Sequence, residues 1–373
     1  VTALSAARTA PAVLTAEFVT DEAEFARLGP AWERLYRRCA TATPFQSHAW
    51  LHSWWLTYGR PGRLRLLVVR GAGELLAVAP LMLVRRPLPA LVPLGGAISD
   101  YADVLLDDAD QGRVTGALTD ALGEAARTAL VDFREVRPGG AVERVYTHWR
   151  GPRRAVADSL CLELPAVPMA ELIARLPSAK AAQRARAKQR KLAALGVQRH
   201  TVDAQGVDAA LGRLLELHRL QWRERGVTGE HVQPRFREHL VRAVGPMVRS
   251  GSAVVTEFRI DGEVVAVDLT LLSPRLAGGY LYGAHPDLRE RKADVAVMLL
   301  EACTEYAGGR GTLSLLRGDE PYKHHWRPAP VLNQRLLMAR RRTAPLLTAA
   351  LCGVAARQRG RDVLHRWRER GGA

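Results

Sequence analysis

The chain has 373 residues, of which 47% are hydrophobic and 25% charged, with a formal net charge of +16. These proportions exclude a disordered or fibrous chain, and the length favours two cores over one. The longest apolar stretch, 344–356, is interrupted by Pro345, Thr348 and Gly353, so no run reaches the roughly 18 residues that cross a bilayer.

Elements follow in order. A helix is expected over 21–39 and another over 49–58, rich in Trp50, Trp54 and Trp55. Strands at 64–70 and 74–84 flank Gly71-Ala72-Gly73, a hairpin signal. Asp100-Tyr101-Ala102-Asp103 leads into a short apolar run at 104–106, then a helix at 113–130 and a strand at 132–136. Residues 178–195 read as a helix with Ser178 as cap and Gly196 as stop. Helices at 207–224 and 234–248 precede strands at 253–260 and 263–272 around the Asp261-Gly262 turn. A strand at 279–282, a helix at 293–307 and a strand at 312–316 complete the series. Hairpin, strand, helix and strand thus occur twice, near 64–136 and near 253–316, as a duplication of pattern without a residue-by-residue repeat. The expectation is an α/β protein with mixed sheets flanked by helices. Its units would be 1–165, a helical connection 166–250, a second core 251–340 and a basic amphipathic tail 341–373.

The charge is localised. Eight basic residues and no acid lie between Arg175 and Arg199, and Lys180, Arg184, Lys188 and Lys191 share one helical face. The tail from Ala339 onward holds nine arginines against Asp362 and Glu369, so these two segments account for 15 of the 16 excess charges. Such clusters point to a phosphate-bearing partner or an anionic surface. Arginine far outnumbers lysine and the first residue is Val, which reads as a GC-rich bacterial gene with a GTG start. One early Arg8 with no apolar core before Glu17 does not read as a leader, and the four cysteines (Cys39, Cys161, Cys303, Cys352) are too dispersed for a zinc site or disulfide framework. A reducing cytoplasm and no metal are expected.

The densest chemistry lies at Gly318-Asp319-Glu320-Pro321-Tyr322-Lys323-His324-His325-Trp326, directly after a strand. A strand end with convergent titratable groups is where α/β proteins place their chemistry. This G-x-E-x-Y-K-x-x-W pattern occurs in order with Phe45-Gln46-Ser47-His48-Ala49-Trp50, Ser99-Asp100-Tyr101, Leu217-His218 with Trp222, and Asp261-Gly262. Together, over about 15–340, they resemble the CelD/BcsL-type acetyltransferases, a branch of the GNAT superfamily close to the Fem peptidyltransferases. The resemblance implies tandem GNAT-like domains and transfer of an acyl or aminoacyl group onto an amine.

That chemistry needs a base for the amine proton, donors for the oxyanion and an acid for the leaving group. Glu320 or Asp319 fits the base, with His285 as a second candidate, and Tyr322 fits the acid or oxyanion donor. Lys323 fits a phosphate or carboxylate ligand rather than a nucleophile. Asp100 and Tyr101 are expected to line an acceptor pocket between the domains, with Tyr282 and Trp326 as further contacts. Asp268, an acid within an apolar strand, faces either solvent or the site. GNAT enzymes hold the CoA pyrophosphate on a glycine-rich turn before a helix. The corresponding stretch here, 289–294, has no glycine and offers Arg289, Arg291 and Lys292 as side-chain charge, with Asp294 as helix cap. The implied co-substrate is acyl-CoA, with aminoacyl-tRNA docked on 178–195 as the alternative. A binding module without catalysis is a further alternative, and the tail is expected as an amphipathic helix capping the second core, with an anionic membrane surface as its alternative.

Overall fold

Residues 13–221 and 229–370 are described by a computed structural model; Arg8, Trp222 and Glu224 lie outside the described residues. The first half of the chain supplies β1 (Leu14–Val19), β2 (Leu64–Gly71), β3 (Glu74–Val84), β4 (Ala90–Pro93), the two-residue β5 (Leu105–Leu106), β6 (Leu130–Val136) and β7 (Arg153–Pro165). The second supplies β8 (Gln198–Thr201), β9 (Ala253–Ile260), β10 (Glu263–Leu272), β11 (Leu276–Ala284), β12 (Thr312–Arg317) and β13 (Ala329–Met338). All join one sheet, ordered β1-β2-β3-β4-β6-β13-β7-β12-β11-β10-β9-β8, with β5 attached to β3.

Counted inward from either edge, three antiparallel pairings are followed by one parallel and one antiparallel pairing. The duplication of pattern in the sequence is therefore a duplication of structure, with an exchange at its centre. β7 follows β6 in the chain but pairs with β12, while β13 follows β12 but pairs with β6, and the two exchanged strands pair with each other. Arg335 of β13 fixes this crossing through two hydrogen bonds to buried Asp132 of β6, at 2.7 and 2.6 Å.

The helices are α1 (Glu22–Arg27), α2 (Gly29–Arg38), α3 (His48–Tyr58), α4 (Gln111–Ala125), α5 (Val142–His148), α6 (Met169–Ala174), α7 (Ala179–Ala194), α8 (Val207–Gln221), α9 (Pro234–Arg249), α10 (Asp287–Glu290), α11 (Val295–Tyr306) and α12 (Ala344–Arg370). α4 and α11 are equivalent, each bridging the parallel strands of its half. α4 buries Val114, Leu118 and Leu122 against one half, and α11 buries Val297, Met298 and Leu300 against the other. α3, α8 and α9 share a core between the halves, with Trp50, Trp54, Leu211, Leu214 and Phe236. α8 sits close on β11 because residue 283 is glycine: a Cβ there would lie 2.3 Å from the Leu214 carbonyl oxygen.

Four expectations change. The helix expected over 21–39 is two, broken where Gly29-Pro30 opens the second. The helix expected to reach residue 130 stops at Ala125, and Leu130 opens β6. The third strand of the first half is β4 rather than 104–106, which forms the off-path β5. The tail, expected to cap the second half, instead packs Leu347 and Ala350 on Ala90, Leu130, Leu337 and Ala339. The strand exchange explains this, since β13 delivers the chain to the first half. Among the described residues no helix is long and apolar enough to cross a membrane.

Candidate active site

In each half the parallel strands pair briefly and then separate. β11 and β12 pair only at Leu276–Thr312, Ala277–Leu313 and Gly278–Ser314, after which β11 continues to Ala284 paired with β10 alone. A register shift between Ser314 and Arg317, with Leu316 at φ +57 and Gly318 at φ +116, turns β12 away from β11. The crevice that results is open. In the first half, β4 and β6 separate after Leu91–Val131, but the chain plugs its own gap. Ala102 N–H donates to the Glu135 carbonyl at 2.9 Å, and the space left beside Tyr101 and Asp103 is about 10 Å³.

The open crevice belongs to a groove of four adjoining cavities. The outermost, about 800 Å³, is lined by Lys188, His285, Arg289, Lys292 and Asp294. It shares Lys188 and Asp294 with a cavity of about 250 Å³ that also meets Arg184, Tyr322 and Trp326. Tyr322 and Trp326 then lead to a cavity of about 80 Å³ between the separated strands, beside Asp268, Tyr282 and Cys303. Tyr282, Tyr322 and Lys323 continue into a cavity of about 440 Å³ between the halves, where Asp100, His218, His231, Arg317 and Glu320 lie. Tyr322 lines three of the four.

The turn after β12 is shaped by its glycine. A Cβ on Gly318 would lie 2.5 Å from both Glu320 carboxylate oxygens, so glycine lets Glu320 fold back over the turn. Lys323 is 6% exposed, and its ammonium donates to the Arg317 carbonyl at 2.9 Å and the Gly318 carbonyl at 3.5 Å. Glu320 Oε2 lies 2.8 Å from that ammonium, out of line for a hydrogen bond. Lys323 therefore braces the turn rather than reaching outward. Burial pushes the Tyr322 phenol above its usual range, aided by Tyr282 and Glu320, so it stays protonated. Asp319 pairs with His324 and lines none of the four cavities. His285, at the 800 Å³ end beside Asp287, does not meet the Glu320–Tyr322–Lys323 cluster.

Across the 440 Å³ cavity, Asp100 pairs with Arg317, which also lies 3.4 Å from Glu135 and donates to the Ala97 carbonyl at 2.5 Å. Burial raises the Asp100 carboxyl, opposed chiefly by Arg317. Tyr101 is 1% exposed and does not reach this cavity. Its hydroxyl bonds Ser314 at 2.8 Å and Glu163 at 3.2 Å, tying the plug to the second half. The opposite wall carries a histidine pair. His218 Nδ1 lies 2.7 Å from the Tyr282 carbonyl and must donate to it, so its Nε2 accepts from His231 Nδ1 at 3.3 Å when both rings are neutral. Burial lowers His218, and burial with the neighbouring His218 brings His231 down to about 4.

Sequence reasoning missed Arg317 and His231 and gave His218 no role. A cation closing an apolar strand was the available signal for Arg317; nothing local marks His231. Arg289 and Lys292 line the outer cavity, whereas Arg291 ends α10 and does not. The turn before α11 uses Lys292 at φ +53 in place of a glycine. Asp294 caps α11 by accepting from Val297 N–H at 3.0 Å, and Lys188 of the basic helix neutralises it at 2.6 Å.

Residues 179–324 match the family model for the acetyltransferase (GNAT) domain, a span that contains α7, α11, the open crevice and the turn at Gly318. Among curated protein sequences none matches the chain. Solved structures share the fold at low identity. The crystal structure of FemX aligns with a TM-score of 0.61 at 12% identity, covering 90% of this chain and 99% of its own. The C-terminal domain of a putative lysylphosphatidylglycerol synthetase from Agrobacterium fabrum aligns at 0.54 and 13%, covering 89% and 96%. L-PGS from Bacillus licheniformis aligns at 0.54 and 12%, with the same coverage. The chain thus shares its α/β fold of two equivalent halves with these structures, and its residues 179–324 match the GNAT acetyltransferase domain model.

Proposed function

We propose that the protein is an N-acyltransferase of the CelD/BcsL type, moving an acyl group from acyl-CoA to an amine on a small molecule or sugar. The observation that carries this is the continuous groove from the cations beside α11, past Tyr322, into the cavity between the halves. It offers a path for a long donor at one end and a separate chamber for an acceptor at the other.

In this reading Lys188, Arg289 and Lys292 meet the donor phosphates. They replace backbone amides at the start of α11, where the Asp294 carboxylate would repel phosphate directly. The carbonyl carbon lies near Tyr322. Glu320 takes the proton from the attacking amine, and the amine–carbonyl bond forms as the bond to the leaving sulfur breaks. Tyr322, protonated, donates to the oxyanion or returns a proton to the thiolate. Asp100, held by Arg317, orients the amine. Lys323 holds the turn that presents Glu320 and Tyr322.

One observation favours aminoacyl-tRNA as donor instead. Asp294 occupies the helix end on which a CoA pyrophosphate would rest, while the basic face of α7 lies beside the same mouth. The chemistry past Tyr322 is the same for either donor. Release of free thiol from acetyl-CoA in the presence of a panel of amines tests the first reading. Glu320→Gln and Tyr322→Phe are each expected to lower turnover about 10²–10³-fold. Full activity in both variants would refute this placement of the site. A protein that binds donor and never modifies an amine would be a binding module.

A further inference from the structure

The 80 Å³ cavity holds a group that the transfer chemistry leaves unused. Asp268 lies on β10 opposite Tyr282 of β11, is 2% exposed, and lines this cavity. Its Oδ2 accepts from the Thr270 hydroxyl at 2.7 Å. Among the described residues its Oδ1 accepts no hydrogen bond and meets no cation. The other walls are largely apolar, with Gly279, Ala296, Leu299, Leu300 and Leu313. Burial drives the carboxyl up to about 7, so the fold loses stability by keeping it ionised at neutral pH. Only the Thr270 hydroxyl, itself 3.2 Å from Cys303 Sγ, opposes that loss among the described residues, and no cation does.

Position and size suit the acyl end of a donor. The cavity lies where the two strands separate, between the cation-lined mouth and the far larger chamber between the halves, and it holds only a short chain. A methyl-terminated chain entering it would leave the carboxylate dry and unpaired. An amino or hydroxyl head would give Oδ1 the hydrogen bond it lacks, charge-assisted in either case.

We propose that Asp268 selects a donor whose short acyl chain ends in a hydrogen-bond-donating head, an amino or a hydroxyl group, bound between β11 and β12 against Oδ1. This rests on the reading of the open crevice as the donor site. It makes Asp268 a specificity-determining residue rather than a catalytic one.

The test uses non-hydrolysable donor analogues ending in –CO–CH2–NH3+, –CO–CH2–OH or –CO–CH2–CH3. Each is carried on the CoA sulfur through a methylene and, separately, on 3′-amino-3′-deoxyadenosine through an amide. Isothermal titration is expected to show about 10- to 100-fold tighter binding of at least one polar head over the ethyl analogue on the carrier that binds. Whichever head gains more identifies the natural one. In Asp268→Asn that preference should shrink at least fivefold, while the ethyl analogue binds at least as tightly as it does to wild type and so shows an intact pocket. Equal binding of the three analogues overturns the inference alone, as does a preference that persists unchanged in the variant. No binding on either carrier overturns the donor-site reading, and this inference with it.

Discussion

The two halves share strand order, pairing and crossover helix, yet one crevice is filled and the other is open. Between β4 and α4 the first half carries residues 94–110, which include the Asp100–Asp103 plug, whereas β11 and α11 are joined by only residues 285–294. The plug is secured at depth. Asp103 accepts from Ala141 and Val142 N–H, each at 2.7 Å, and so also holds the start of α5. The second half has no such segment, and its crevice is lined instead by Tyr282, Tyr322, Lys323 and Asp268. Duplication supplied two equivalent gaps. Filling one with polar chain gave a wall that faces the other half, and leaving the other open gave a groove. The difference comes from the short connections rather than from the sheet.

The largest effect is expected where the halves are crossed. Asp132→Ala leaves the Arg335 guanidinium buried without its partner and should cost about 3–5 kcal/mol in chemical denaturation. A loss below about 1 kcal/mol would mean that the exchanged strand is not held by this pair. Asp103→Ala leaves the Ala141 and Val142 amides without their acceptor and should cost about 1–3 kcal/mol, loosening the plug. Because Arg137, the cation that lines the first crevice, is already paired with Glu163, that variant should gain no second donor site by titration. Tyr101→Phe removes only the hydroxyl that links plug to β12 and should cost about 1 kcal/mol, with turnover within a few-fold of wild type; a loss as large as that of Tyr322→Phe would erase the distinction between the halves.

A further effect is a pH dependence. Asp268 has a folded-state value pushed up to about 7, against an ordinary 3.8, so the folded state binds more protons in that window and its contribution to stability falls as pH rises through 7. Asp268→Asn abolishes that fall. Thermal melts should therefore show the variant gaining on wild type as pH rises from 4 to 8, and a constant difference would contradict the assignment. Buried His239, pushed down to about 3, acts oppositely and in both proteins, making stability rise with pH between about 3 and 6.5.

Much of this was legible in sequence where the signals are local. β9 and β10 fell at 253–260 and 263–272 because Asp261-Gly262 marks their turn, and Ser178 caps α7 as its position suggests. β7 and β13 were not legible. Their partners lie up to about 200 residues away, and Arg153-Arg154 or Asn333-Gln334-Arg335 break the apolar alternation that marks a strand. β4 is four residues long and set among prolines 87, 89 and 93. At the site, the cluster at Gly318–Trp326 was visible as chemistry, but not the direction of each side chain. Lys323 points into its own turn, onto carbonyls five and six residues back, and Tyr101 points into the seam, where Ser314 and Glu163 of distant strands satisfy it. The Arg317–Asp100 pair joins residues 217 apart, a distance no periodicity reports.

The second half alone is expected to bind the donor, through side-chain cations at its mouth. Titrating the protein with acetyl-CoA and, separately, bulk tRNA at low and physiological salt tests it directly. Saturable acetyl-CoA binding at one site, weakened about tenfold or more by Arg289→Ala with Lys292→Ala, is the predicted result. Absence of acetyl-CoA binding with tRNA affinity that survives physiological salt would transfer the donor role to aminoacyl-tRNA. Binding unchanged by the paired substitutions, or two equivalent sites per chain, would contradict the account.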